Sequence, residues 1–357
     1  MRNLIKKLLP KFVFLKIKHF IVKFHQFTTP IFVKTPFLSH LYFIFFNHSY
    51  LREQFALLQG NEKYKHRINS TIEHSNPLLR RNIHRIEKGL IMQPRKSIFA
   101  LGYIEETQNT FLLACQSNTH QSELCWAKDV LTEYYRSVDF EQSPLLRRLA
   151  SEFKKFNELE SAKDNACIPY ANHQLPSLNL NYEQLLEFIK IRRSTRWFKQ
   201  ISVCHEKIKQ AVTIASQAPS ACNRQGYNFY VVDQQPLLSQ VSKLAIGAGG
   251  FADNIPCIIA LVGDYSYYEH VRDRHVIYID ASLAAMQFMQ ALPTLGLSSC
   301  SLNWPELKIL DQKLSKLLKL KKHQKTIMLI AVGEAEPEGG IPYSQKKTAD
   351  QLIRFIE

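Results

Sequence analysis

Three groupings of side chains have types and spacings suited to chemistry. The stretch RRSTR places the guanidinium groups of Arg192, Arg193 and Arg196 around the hydroxyl of Ser194 within five residues. A phosphate suits such a set, because the planar fork of arginine matches two of its oxygens and a hydroxyl takes a third. Arginines at a helix end also satisfy exposed carbonyls and the helix dipole, so the motif alone leaves both readings open. In APSACNRQG (218–226), Pro219, Ser220 and Ala221 keep bulk away from the backbone, while Asn223, Arg224 and Gln225 offer amide and guanidinium groups in succession. A flat polar partner could lie there, and so could an ordinary helix end followed by a turn. In LLRRNIHRIEKGLIM, His84, Glu87 and Lys88 lie on neighbouring turns of a helix whose apolar positions are Leu79, Ile83, Ile86 and Leu90. They form either a polar site or a solvated face, and the solvated face is the simpler reading.

The elements that must position these groups are legible from periodicity. A helical region spans about 76–140, and a polar stretch broken by Pro169 and Pro176 (157–181) reads as a linker or an arm over a partner surface. Helices are predicted over 182–191, 206–218, 236–245, 276–296 and 305–318, the last with Pro305 in its first turn. Strands are predicted over 227–233, 257–264 and 326–335, where β-branched and aromatic residues concentrate. The mixture of helices and strands implies α/β or α+β layers around one sheet.

Whole-chain properties restrict the function classes. With 357 residues, 45% hydrophobic and 22% charged, the chain is long enough for about two globular domains. Its formal net charge is +15, but residues 1–52 carry nine Lys or Arg and no acid, so most of the excess is N-terminal. That segment is dense in Phe, Leu and Ile and contains no uninterrupted run of the length a spanning helix needs. It suits either a membrane surface or packing against the protein's own body. Because the charge sits on an apolar, aromatic segment and no nucleic-acid module is evident, nucleic acid is not an expected partner. Seven scattered cysteines without a C-x-x-C pair imply reduced thiols, no structural zinc and a cytoplasmic protein, with the N-terminus as a candidate contact to the inner face of the membrane.

The order of motifs adds a further reading. RRSTRWF, a helix, APSACNRQG running into YNFYVV, a buried helix opening with DAS and leading to LGLSSCSLNW, a strand ending AVGEAEPEG, and a basic SQKKTADQLI together resemble the nitroreductase family over about 182–357. The resemblance implies an α+β, nitroreductase-like FMN-binding domain, with a central, mostly antiparallel sheet flanked by helices and preceded by a mainly helical N-terminal region. It divides the chain into a basic segment (1–52), a helical region of unassigned role (53–156), a linker or arm (157–181) and the flavin domain (182–357).

By the same resemblance, Arg192, Arg193, Ser194 and Arg196 hold the FMN phosphate and ribityl chain. Pro219, Ser220, Ala221, Asn223 and Gln225 line the isoalloxazine, often from the opposite subunit of a homodimer. Ser301, Leu302 and Asn303 form a loop donating backbone hydrogen bonds near its reactive edge, and Lys346 completes the phosphate site. The implied activity is hydride transfer from NADH or NADPH through FMN to an electron-poor small molecule by ping-pong kinetics, with no catalytic side chain required. Four departures stand out: Gly226 where the family commonly has Pro, Trp304 where Gly is frequent, Lys346 in place of Arg, and a GAGGFADNIP stretch (247–256) without the polar side chains some members direct at the flavin. A non-catalytic scaffold built on a degenerate flavin domain is the alternative reading, motivated by Lys346 and by crowding at Trp304.

Overall fold

The computed structural model describes residues 11–48, 50–70, 74–154 and 167–356. The chain divides into two compact units, 1–55 and 56–357.

In the first unit, helix α1 (Lys11–Phe32) is followed by α2 (Pro36–Phe45). Thr35 caps α2 by accepting a hydrogen bond from the Leu38 N–H at 3.2 Å, and Pro36 occupies the first turn, where a missing donor costs nothing. Phe32 meets Tyr42 and Phe46 at centroid distances of 5.5 Å. Phe20, Phe27, Phe37 and Phe45 remain exposed. Among the described residues no helix is long and apolar enough to cross a membrane.

The second unit begins within α3 (Leu51–Ile68) and continues through a bundle of α4 (Pro77–Leu90), α5 (Ile104–Cys115), α6 (Gln121–Ser137) and α7 (Pro144–Lys154). Asn76 and Pro77 start α4: the Asn76 side chain accepts from the Leu78 and Leu79 N–H groups. The apolar stripe read from the sequence, Leu79, Ile83, Ile86 and Leu90, enters the bundle core beside Phe111, Leu131, Tyr134 and Leu146. Of the linker, 155–166 lie outside the described residues. Residues 167–181 are exposed apart from the half-buried Ile168 and Pro169, with one short 3₁₀ turn (Asn172–Gln174).

The remainder is α+β. Four strands, β1 (Tyr227–Val232), β2 (Cys257–Asp264), β3 (Ser298–Asn303) and β4 (Gln324–Gly333), form one fully antiparallel sheet in the order β1-β2-β4-β3. Alternate residues of β2 enter different cores, Ile259 and Leu261 on one face, Ile258 and Ala260 on the other, so the strand is buried throughout. Helices α9 (His205–Ala215) and α11 (Val276–Ala291) cover the first face, and α10 (Leu237–Ser242) and α12 (Lys308–Leu317) the second. Helix α8 (Tyr182–Ile191) precedes them and buries none of its residues. Helix α13 (Ala349–Leu352) lies near the C-terminus.

Two expectations are corrected. Residues 298–303 are an edge strand rather than a loop, because the alternation of buried Cys300 and Leu302 with exposed Ser301 and Asn303 matches a sheet with one covered face. Helix α12 starts at Lys308 rather than at Pro305: residues 304–307 form a turn closed by the Leu307 N–H to the Pro305 carbonyl at 2.7 Å.

Candidate functional site

The arginine-rich stretch lies along the outer edge of β3. Ser194 bridges Ser299 in parallel, and the Thr195 N–H donates to the Ser299 carbonyl at 3.0 Å, so this stretch lines the outer edge of the sheet. Arg192 and Arg193 line a cavity of about 200 Å³ together with Ser298, Ser299 and the 293–297 turn. The Ser299 hydroxyl is buried there without a hydrogen-bond partner among the described residues, a condition that costs free energy unless a ligand completes it. Ser194 and Arg196 are not among the cavity's lining residues. Arg196 donates from Nη1 to the Ser194 carbonyl at 3.2 Å and lies 5.9 Å from the Phe251 ring. It sits beside Cys300, whose thiol burial pushes up while Arg196, a hydrogen bond from Ser194 and Arg192 pull it back down.

Arg193 has a second task. Its Nη2 donates to the Pro342 carbonyl at 2.9 Å and also to the Tyr343 carbonyl, fixing the C-terminal segment beside β3. That segment carries Lys346, which is exposed and does not line the cavity. Ser301 and Asn303 are exposed on the sheet edge, whereas Leu302 packs in the core, so only its backbone is available to a ligand there.

The small-residue stretch is a tight turn. Residues Ala221–Asn223 form a 3₁₀ turn, and Cys222, Asn223 and Gln225 have φ of 53°, 52° and 49°, left-handed conformations that L-residues other than Asn adopt at a cost of roughly 1–2 kcal/mol each. The surroundings hold them. The Ala221 N–H donates to Asp280 Oδ2 at 3.0 Å from α11, and the Gln225 amide Nε2 donates to the Ser216 carbonyl at 2.7 Å. Burial pushes the Asp280 carboxyl up, opposed first by the Ala221 N–H. Arg224 is buried, spanning the Ala221 carbonyl, Asp273 and the face of Tyr268. Gly226 has a local reason: a Cβ there would lie 2.9 Å from the Tyr268 ring and 3.0 Å from Tyr267 Cβ.

Pro219, Ser220, Asn223 and Gln225 line a cavity of about 550 Å³, whereas Ala221 is not among its lining residues. Helix α4 supplies the opposite wall through Arg80 and His84, which sequence reasoning did not attach to this turn. Arg80 donates from Nε to the Asn223 carbonyl at 2.8 Å and from Nη2 to Gln225 Oε1 at 3.3 Å, while Nη1 pairs with Glu123 at 3.0 Å. His84 is paired with Glu87 at 3.1 Å, and Glu87 also accepts from Trp126 Nε1 at 2.8 Å. The solvated-face reading therefore holds for Lys88 and fails for His84 and Glu87: tertiary contact with Trp126 and the turn covers them. The two predicted groups, Arg192–Arg193 and Pro219–Gln225, line separate cavities of one protomer.

Trp304, expected to crowd the site, lines neither of these cavities. It is buried in the core, with its indole N–H donating to Asp311 at 3.2 Å.

The nitroreductase family model matches residues 189–249 and 245–334, which gives the domain its class, a flavin-dependent oxidoreductase. A protein from Archaeoglobus fulgidus with the provisional name NADH dehydrogenase/NAD(P)H nitroreductase is 30% identical over 117 residues, 33% of this chain and 66% of that relative. Among solved structures, an FMN-dependent nitroreductase from Clostridium difficile R20291 is 26% identical, with 48% of this chain and 99% of that chain covered and a TM-score of 0.41. A nitroreductase family protein from Streptococcus pneumoniae TIGR4 is 22% identical over 48% of this chain and 100% of that chain, with a TM-score of 0.42. The C-terminal part of the chain belongs to the nitroreductase family. Residues 1–188 and the segment carrying Lys346 lie outside the matched region.

Proposed function

We propose that the C-terminal domain binds FMN and uses NADH or NADPH to reduce an electron-poor small molecule. The carrying observation is the buried Ser299 hydroxyl, without a partner among the described residues, at a cavity of about 200 Å³ that Arg192 and Arg193 also line. Arg192, Ser194, Arg196 and Ser299 would hold the phosphate, with Arg193 sharing its donors between that task and the C-terminal segment. Pro219, Ser220, Asn223 and Gln225 would bound the ring, and the edge of β3 from Ser301 to Asn303 would present backbone groups. Lys346 would add charge without the bidentate contact of an arginine. When bound, FMN supplies hydride acceptance and donation, with reductant and acceptor bound in turn as in ping-pong kinetics. The chain's own part is to fix the phosphate, keep side chains clear of the ring plane and exclude water.

Because the two groups line separate cavities within a protomer, a homodimer that sets one protomer's phosphate cavity against the partner's turn is the arrangement that unites them. The unburied apolar face of α8, with Ile191 63% exposed, and the exposed Tyr343 and Phe355 supply surface for that pairing. The scaffold alternative loses one support, since Trp304 belongs to the core. In the N-terminal unit, the basic and aromatic α1 supports a cytoplasmic protein that contacts an anionic membrane surface.

The test is to purify the full chain, identify its pigment and follow anaerobic reduction by NADH and by NADPH. Flavin absorbance bleached by either nicotinamide is expected; a colourless protein that does not retain added FMN would overturn the reading. Replacing Arg192 and Arg196 together by Ala removes charged hydrogen bonds worth roughly 1.5–3 kcal/mol each, so FMN affinity should drop by about a hundredfold or more. Fluorescence titration with FMN measures it, and unchanged affinity would misplace the phosphate site.

A further inference from the structure

A third cavity, of about 600 Å³, lies between the helical region and the β1 edge of the sheet. Its lining includes six cationic side chains, Lys63, Arg67, Arg80, Arg224, Lys319 and Lys321, against two carboxylates, Glu123 and Asp264. Both carboxylates are committed to the fold. Glu123 accepts from Arg80, Ser75 Oγ and the Asn76 N–H, and Asp264 accepts from Ser266 Oγ at 2.6 Å and lies 3.6 Å from Arg67. Lys319 and Lys321, exposed on the turn after α12, pair with no carboxylate among the described residues.

The walls are built rather than incidental. Arg67 and Arg224 have side chains only 11% and 7% exposed, held over the rings of Tyr267 and Tyr268 at 4.1 and 4.3 Å. His323 registers the resulting field: burial lowers its pKa, and Lys321, Arg67 and Lys63 lower it further against the pull of Asp264. A concave site with cations on opposing walls and aromatic edges from Tyr227 and Tyr230 concentrates anions and fits a ligand larger than a free inorganic ion.

We propose that this cavity binds a phosphorylated small molecule of nucleotide size, separately from the flavin. Arginine forks and lysine heads recognise phosphate oxygens, and the volume accommodates an attached organic group. The site draws on both halves of the second unit and gives the helical region a task of its own. Arg80 and Gln225 line this cavity and the turn's cavity alike, so an occupant would touch the wall of the flavin site.

The test is calorimetric titration of ADP, and of inorganic pyrophosphate, into the full chain saturated with FMN. Saturable binding of ADP is expected. It should weaken at least about tenfold in a Lys319→Asn/Lys321→Ala double variant, since each charged contact is worth about a factor of ten or more; Asn suits the left-handed φ of 54° at Lys319. Asn228→Glu, which sets a negative charge in the same cavity from the exposed edge of β1, should weaken it likewise, with flavin content unchanged in both proteins. No saturable binding of either probe to the wild type, undiminished affinity in both variants, or binding that appears only when FMN is withheld would each overturn the proposal.

Discussion

His323 is a residue whose protonation the fold resists. Burial, with Lys321, Arg67 and Lys63 nearby, holds its pKa below the ordinary value of about 6.5. Between the lowered folded value and about 6.5, the unfolded chain binds more protons than the native one, so stability is greatest above that window and is lost as pH falls through it. Urea unfolding on either side of the window should show this loss, and His323→Gln should flatten the profile; an equal slope in the variant would assign it to other groups. Little of this is legible in the sequence, where His323 sits among Lys321, Lys322 and Lys325 and looks like one more surface cation. The left-handed Cys222 and Gln225 are equally unreadable, since nothing in their types signals positive φ and the hydrogen bonds that hold the turn come from residues up to 145 positions away. By contrast, the closeness of Arg192, Ser194 and Arg196 to one another is legible from their spacing, whereas the sheet edge they lie along is set by the contact of Ser194 and Thr195 with Ser299.

At the scale of elements, the turn that would bound the ring is held from outside by a helix. Arg80 of α4 joins the Asn223 carbonyl, the Gln225 amide and the buried Glu123. Arg80→Met would leave Glu123 charged, nearly buried and short of its partner, at a cost of about 3 kcal/mol. Much of that loss should return in the Arg80→Met/Glu123→Gln double variant, while the hold on the turn stays lost in both. Chemical denaturation measures the first effect and FMN affinity the second; a single variant as stable as the wild type would show that the ion pair contributes nothing. The helix itself is legible from its apolar period, and so are β1, β2 and β4 from their β-branched runs. The edge strand β3 is not, because SSCSLN carries small and polar residues that match a loop as well as a half-exposed strand. Its identity is set by pairing with β4 and by the Ser194–Thr195 backbone on its free edge.

For the molecule as a whole, the separation of the Arg192–Arg193 cavity from the turn's cavity and the bare apolar face of α8 support the proposed second copy. Sedimentation equilibrium should give twice the mass of the chain. Leu186→Glu together with Ile189→Glu, on the α8 face, should shift the protein to monomer and lower flavin retention in parallel. A monomeric variant that keeps its flavin would separate pairing from cofactor binding. The helical region and the strands that follow it are legible in the chain, but the dependence of one on the other is not, because the linking contacts bridge separations of up to 207 residues.

That dependence bears on any attempt to study the oxidoreductase portion in isolation. An excised fragment starting near Asn181 would keep all four strands and their covering helices. It would, however, strip the guanidinium from the Asn223 carbonyl, the amide of Asn61 from the Tyr268 carbonyl and the ion pair from Glu269. Such a miniature would retain its architecture while the floor beneath its strained corner fell away, so what looks like an appendage is better regarded as half of the vessel.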